Sequence, residues 1–270
     1  MGNLLTTNDG QETSGVYADG QPRAIHSYNK PVYVTGLGPV TAILGNTAWS
    51  AARGTNETWL LDEQTGLSTR IGNATGAGTS SGGSACYDPT RHCQWWLPAN
   101  TSRPLKFDFA TRQWAIQNDL ASRNTDGYRR LIYLVEDDLL LLFDNAAANS
   151  LSMWDLTAKT FHTPGTTGSV PTGFQVATLG SVGSDWHPSG FIALWHHTQN
   201  TASIATLTPT GNKRSSPWAW GQISASASNA VMPTAAIANG TYGRFGYSEK
   251  LKGYYLQNAT NQKTFFFAED

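Results

Sequence analysis

Apolar residues along this chain gather in short runs separated by polar turns, as in Cys93-Gln94-Trp95-Trp96-Leu97, Leu139-Leu140-Leu141-Leu142-Phe143 and Phe265-Phe266-Phe267-Ala268. No window of about ten residues or more keeps the i, i+3, i+4, i+7 spacing of an amphipathic helix, so the pattern predicts strands and almost no helix. Turn formers stand between the runs. Asp88-Pro89-Thr90-Arg91 follows one strand, and its Asp and Pro preset a tight reversal.

One run carries a phrase that returns. Trp59-Leu60-Leu61-Asp62-Glu63-Gln64-Thr65 comes back as Leu105-Lys106-Phe107-Asp108-Phe109-Ala110-Thr111 and as Leu151-Ser152-Met153-Trp154-Asp155-Leu156-Thr157, with the aspartates 46 and 47 residues apart. Ile204 to Thr210 is a looser copy. A second element keeps step with the first. Tyr87 precedes Asp108 by 21 residues, Leu134 precedes Asp155 by 21, Trp186 precedes Thr208 by 22 and Tyr247 precedes Ala268 by 21. Repeats of about 40–50 residues made of short strands predict a β-propeller.

The expected fold is therefore all-β: a single β-propeller domain over residues 1–270, with four-stranded blades at about 24–75, 80–119, 125–168, 172–225 and 232–270. The last blade stops at its third strand. Residues 1–23, with Gly15-Val16-Tyr17-Ala18, are expected to complete it and close the ring, which hides two strand edges. If that segment holds more than one strand, there is room for a sixth blade.

Composition narrows the partners. Charged residues make up only 14 % of the chain, against roughly 25 % in an ordinary domain, so Thr, Ser, Asn and Gly carry the solubility. A net charge of −1 excludes non-specific binding to nucleic acid, which needs a basic surface. No stretch reaches the roughly 18–20 apolar residues of a membrane helix, and Met1 to Gly10 has neither the basic nor the apolar region of a signal peptide.

The repeat resembles kelch-type and galactose-oxidase-type propellers. Their blades carry a Tyr-Asp-Pro turn, here Tyr87-Asp88-Pro89, and an Asp-x-x-Thr-x-x-Trp outer hairpin, here Asp108 to Trp114. The likeness is at the level of the repeat: the diglycine of kelch units appears once, at Gly82-Gly83, and the copper–radical ligands of galactose oxidase are not matched. Such propellers host hydrolases, lyases, lectins and scaffolds, so the fold leaves function open.

Several groups are candidates for chemistry. Arg23, His26 and Tyr28 open the first blade, Arg129 and Arg130 the third, and Tyr242 and Arg244 the fifth. Converging at the channel mouth, they would suit a carboxylated sugar or a phosphate; the competing reading is bonding between blades. Cys86 and Cys93 flank a hairpin turn and could face each other as a disulfide, or stay free thiols. Trp195-His196-His197 alternates faces in a strand and so makes a poor metal site. Glu136-Asp137-Asp138 offers clustered oxygens for Ca²⁺ or simply caps a hairpin. Asp62, Asp108 and Asp155 recur, so they are expected to hold turns rather than to catalyse. No cofactor and no metal are expected.

These features predict a non-catalytic propeller acting as a structural or binding module. Sparse charge and abundant Thr, Asn and Gly give the chain a texture similar to bacteriophage accessory proteins of the tail or capsid. That likeness implies protein partners in a homo-oligomer or a larger particle, and a virion or extracellular location. Two alternatives stay open. One is a carbohydrate-binding, lectin-type propeller in which Trp95, Trp114, Trp154 and Trp218 stack on sugars or else pack between blades. The other is a polysaccharide-active enzyme, which would need two carboxylates about 5–10 Å apart at the channel mouth.

Overall fold

The computed structural model describes residues 21, 31–46, 54–73, 83–98, 103–122, 129–144, 151–174, 182–197, 201–226, 229–236, 240–259 and 261–269. Two compact units divide the chain, Met1–Asn118 and Asp119–Asp270. Twenty strands and a single 3-10 turn, Tyr242–Arg244, are the regular elements among the described residues.

In the first unit, Val32–Val34 (β1), Gly38–Asn46 (β2), Gly54–Leu61 (β3) and Ser68–Asn73 (β4) make one sheet in chain order. Gly83–Asp88 (β5), Cys93–Pro98 (β6), Leu105–Asp108 (β7) and Gln113–Ile116 (β8) make a second. In the other unit, Arg129–Leu134 (β9), Leu139–Asp144 (β10), Leu151–Asp155 (β11) and Thr160–His162 (β12) form the third sheet. Thr166–Thr167 (β13) joins the fourth, with Gly183–His187 (β14), Phe191–Trp195 (β15), Ser203–Pro209 (β16) and Trp218–Ser224 (β17). Phe245–Ser248 (β18), Gly253–Leu256 (β19) and Phe265–Ala268 (β20) are the fifth.

The sheets are built on antiparallel meanders, the form of a propeller blade, and five of them make the fold class a five-bladed β-propeller. The described residues hold no sixth sheet. Two details depart from the expected plan. β13 follows the third sheet in sequence but pairs in parallel with β17, so the fourth sheet has five strands. The fifth has three: among the described residues β20 is paired on one side only, and the segment expected to complete it, residues 1–23, lies outside them apart from Gln21.

Alternation along the strands builds the core. In β15, Ile192 and Leu194 pack with Leu139, Leu141 and Phe143 of the third sheet, while Ala193 and Trp195 pack with Phe245, Tyr254 and Leu256 of the fifth. A strand covered on both faces reads as a continuous apolar run, which is why Leu139 to Phe143 has no polar face. In the first unit, Trp96, Leu105 and Phe107 meet Val34 and Val40. β14 and β18 come close at Gly183 of β14, where a Cβ would lie 2.4 Å from the Cβ of Phe245. Only glycine fits between β14 and β18 there.

The tryptophans join sheets. Trp114 Nε1 donates to Thr58 Oγ1 at 2.6 Å, Trp195 Nε1 to Asn258 Oδ1 at 2.9 Å, and Trp154 Nε1 to the Ala121 carbonyl at 2.8 Å. Trp95, Trp114, Trp154 and Trp218 are all buried. The rings of these four are therefore unavailable to stack on a sugar.

Candidate functional site

The repeated aspartates are turn caps. Asp62 Oδ1 accepts the N–H groups of Gln64 and Thr65, Asp108 Oδ1 those of Ala110 and Thr111, and Asp155 Oδ1 that of Ala158. Those bonds hold Asp62 and Asp108 below the usual carboxylate range, chiefly through the Thr65 and Thr111 N–H groups. Four residues after each aspartate the chain enters the left-handed region, at Gly66, Arg112 and Lys159. One turn geometry is thus stamped three times, and it has no catalytic content.

Among the arginine and tyrosine candidates, Arg23, His26 and Tyr28 lie outside the described residues. Arg129 is on β9 opposite Asp144. Arg130 Nε donates to the Ser184 carbonyl at 3.2 Å, from β9 to β14. Arg244 donates to the carbonyls of Gly240, Gln257 and Asn258, and Tyr242 is buried in the same 3-10 turn. These arginine bonds hold backbone: that of Arg130 runs between the third and fourth sheets, while those of Arg244 stay within the fifth. A carboxylate the sequence left unmarked joins them. Asp185 Oδ2 accepts the Tyr247 N–H at 2.8 Å, from β14 to β18. Burial pushes Asp185 up, against the pull of Arg130 and of the Tyr247 and Trp186 N–H groups.

Cys86 and Cys93 are free thiols. The expectation that they face each other is corrected by the register, which sets Cys86 opposite Trp95 and Cys93 opposite Asp88. Burial, with help from Asp88, pushes the Cys93 thiol up to about 12, which makes it unreactive. His196 and His197 are both buried, and no group of three potential metal ligands occurs among the described residues. In the acidic run, Asp137 pairs with Lys213, while Asp138 accepts the hydroxyls of Tyr133 and Thr157. Those oxygens close a hairpin and tie it to the fourth sheet. Of the N-x-S/T sites, Asn258 is fully buried and bonded to Trp195 and Thr234, so it cannot carry a glycan as folded.

A site with ligand-sized volume lies elsewhere among the described residues. A cavity of about 670 Å³ lies between the fourth and fifth sheets. Ala202, Ser224, Ala225 and Ser226 leave the space because their side chains are small. Ile223, Val231 and Pro233 form one apolar wall, and Phe265, Phe266 and Phe267 of β20 another. His187, Tyr254 and Glu269 are also among the lining residues.

These three are positioned by neighbours. Tyr247 donates its hydroxyl to Glu269 Oε2 at 2.7 Å, a bond that pushes Tyr247 up to about 12. The other oxygen, Oε1, lies 2.6 Å from His187 Nε2, a close contact without the alignment of a hydrogen bond. His187 Nδ1 accepts the Ser189 N–H, so the ring carries its hydrogen on Nε2. Phe191 stacks on that ring at 4.4 Å. Tyr254 is 1 % exposed and its hydroxyl has no hydrogen-bond partner. Burial first, then the nearby Glu269, pushes Tyr254 upward, so it stays a neutral O–H donor.

No family model and no curated protein matches the chain. Solved structures do. A protein of unknown function from Bacteroides thetaiotaomicron aligns with a TM-score of 0.55 at 16 % identity, over 86 % of this chain and 56 % of its own. An auxiliary nutrient binding protein from the same organism aligns with a TM-score of 0.52 at 12 % identity, over 84 % of this chain and 56 % of its own. The chain thus spans little more than half the length of either, and the likeness is one of fold.

The sequence reading missed the cavity. The available signals were the small residues Ser224-Ala225-Ser226 next to an apolar strand end, and Phe265-Phe266-Phe267 in a last strand with no following partner. Neither points to a cavity until β17 and β20 are placed side by side.

Proposed function

We propose that the protein is a non-catalytic propeller module that binds a small molecule in the cavity between its fourth and fifth sheets. The observation that carries this reading is the cavity of about 670 Å³ itself, walled by Ile223, Val231, Pro233 and Phe265–Phe267 and bordered by Glu269. Small-molecule sites have volumes of about 300–1,000 Å³, apolar walls and a few placed polar groups.

Glu269 is the one carboxylate in the lining, whereas two-carboxylate glycoside hydrolysis needs a pair. This supports binding over hydrolysis. The nutrient-binding description of one structural neighbour fits the same reading. No observation favours the virion-accessory role over it.

The test is a thermal-shift screen of a small-molecule nutrient library against the wild type and Val231→Trp, a substitution that fills the cavity mouth from a position 58 % exposed. A ligand at 100 times its Kd adds about 2.7 kcal/mol, which raises Tm by roughly 5–10 °C in a chain of this size. At least one compound should stabilise the wild type and not the variant. If no compound does, or if both proteins shift alike, the reading fails.

A further inference from the structure

We propose that the cavity between the fourth and fifth sheets selects a cationic ligand, an amine carried on an apolar body, through the negative field of Glu269. This rests on the binding reading above and goes on to name the chemical class.

The argument is one of net charge in a poorly solvated space. Glu269 is the one carboxylate around the cavity, and no Lys or Arg is among the lining residues. Its two oxygens meet the Tyr247 hydroxyl and the His187 ring. Neither contact brings a positive charge, because His187 accepts the Ser189 N–H on Nδ1 and carries its hydrogen on Nε2. Among the described residues Glu269 forms no ion pair with a Lys or Arg. Its charge is thus held in place by dipoles and is not neutralised. A cleft of one sign with low-dielectric walls focuses the field into the space it encloses, so the selection does not depend on where any single hydroxyl points.

Two tyrosines report the same sign. Burial first, then Glu269, Asp185 and Tyr247, push Tyr254 up, and no cation opposes them. The hydrogen bond to Glu269 first, then burial, then the charges of Glu269 and Glu249, push Tyr247 up, again with no cation opposing.

The walls suit the rest of such a ligand. Phe266, Ile223 and Val231 line the cavity and are all exposed. Aromatic rings attract a cation over their faces, so Phe266 favours the same charge as Glu269 while offering apolar surface to the body. An anion meets the opposite field with no compensating side chain. A neutral ligand gains from the walls and nothing from the carboxylate.

The experiment is calorimetric titration with a matched series: phenethyl and naphthylethyl bodies, each bearing an ammonium, a hydroxyl or a carboxylate head group. The proteins are the wild type, Glu269→Gln and Val231→Trp. The ammonium members should bind the wild type about tenfold more tightly than the alcohols, the yield of one hydrogen-bonded charge. The carboxylates should bind most weakly. High salt should narrow the differences, since the field at a partly open site is screened. Glu269→Gln should bring ammonium binding down to that of the alcohol and leave alcohol binding unchanged, which also reports that the cavity is still formed. Val231→Trp should abolish binding of every member.

If the alcohols or carboxylates bind as tightly as the amines in a Val231-dependent way, the cation inference is overturned and the binding reading stands. If the amines bind but Val231→Trp has no effect, they bind elsewhere and the inference is overturned. Binding by no member of the series also overturns it, and the wider thermal-shift screen then decides the binding reading on its own. Should Glu269→Gln fail to fold, the head-group preference and salt response of the wild type still decide the matter.

Discussion

Arg214, in the turn between β16 and β17, donates its Nε hydrogen to Asp155 Oδ2 at 2.6 Å. The third of the repeated aspartates thus does two things. One oxygen caps its own turn through the Ala158 N–H, and the other holds the neighbouring sheet. Arg214 also donates to the Asp137 carbonyl at 2.8 Å, and Lys213 beside it pairs with the Asp137 carboxylate. The charge network ties the third sheet to the fourth on the side opposite the fifth.

Arg214→Ala should therefore destabilise the protein by about 2 kcal/mol, more than a surface pair would, because the Asp155 side chain is only 8 % exposed. Burial raises the Asp155 pKa, but the Ala158 N–H and Arg214 outweigh it and hold the group below its ordinary 3.8. A depressed carboxylate contributes stability above its unfolded pKa and loses it as pH falls through the folded value. The gap between wild type and variant in urea melts should be constant above pH 5 and close below about pH 4. A constant gap down to pH 2 would show that the loss comes from packing alone.

Arg112 sits at φ 56 in the turn capped by Asp108, where the first sheet has Gly66 at φ 70. A side chain in the left-handed region costs roughly 1 kcal/mol that glycine avoids, though glycine gives back part of it in the unfolded chain. Arg112→Gly should raise stability by about 0.5 kcal/mol, read as a small rise in the urea midpoint with an unchanged slope. A fall of that size or more would mean that the Arg112 side chain contributes contacts worth more than the strain.

What the sequence shows of this fold is what local chemistry determines. The Asp-capped turns recur because each needs only its own next three or four residues, and the apolar runs between them are strands for the same reason. Where bonds cross sheets, the letters are silent. Arg130 looks like a ligand-binding cation in isolation, and only the position of Ser184 on β14 shows that it holds backbone. Trp114 and Trp195 look available for stacking until Thr58 and Asn258 arrive from strands 56 and 63 residues away. The cavity was least legible of all, since it is made by what small residues leave unfilled.

Gly183 is another such place. It reads as a strand-weakening glycine, yet a Cβ there would meet Phe245 at 2.4 Å and Thr241 at 3.0 Å. Neither contact is the flexible end of a long side chain, so β14 and β18 would have to part. Gly183→Ala should cost about 2–3 kcal/mol through overpacking. It should also weaken binding in the cavity, because His187, four residues along β14, and Tyr254, which pairs across β19 with Tyr247, would shift with it. Urea unfolding checks the first effect and titration with a hit from the thermal-shift screen checks the second. Wild-type stability in the variant would refute the close approach.

Acid should find the protein's weak point at His196 and His197. Both are buried, His197 between the rings of Phe174 at 5.6 Å and Trp195 at 5.0 Å, and burial lowers the pKa of each. For His197 the fall is from 6.5 to about 4, with His196 adding repulsion and the Ser203 backbone partly opposing it. The folded state therefore binds fewer protons than the unfolded chain throughout that window. Stability is complete above pH 6.5 and is lost as pH falls to about 4, to the extent of about 3 kcal/mol for His197, with most carboxylates still ionised. His197→Phe keeps a ring in the site and removes the titration. Across pH 4–6.5 its stability should decline less steeply than the wild type's by about one proton, or about 1.4 kcal/mol per pH unit, when urea midpoints are compared. Parallel profiles for the two proteins would show that His197 is accessible to protons in the folded state, and that the acid response arises elsewhere.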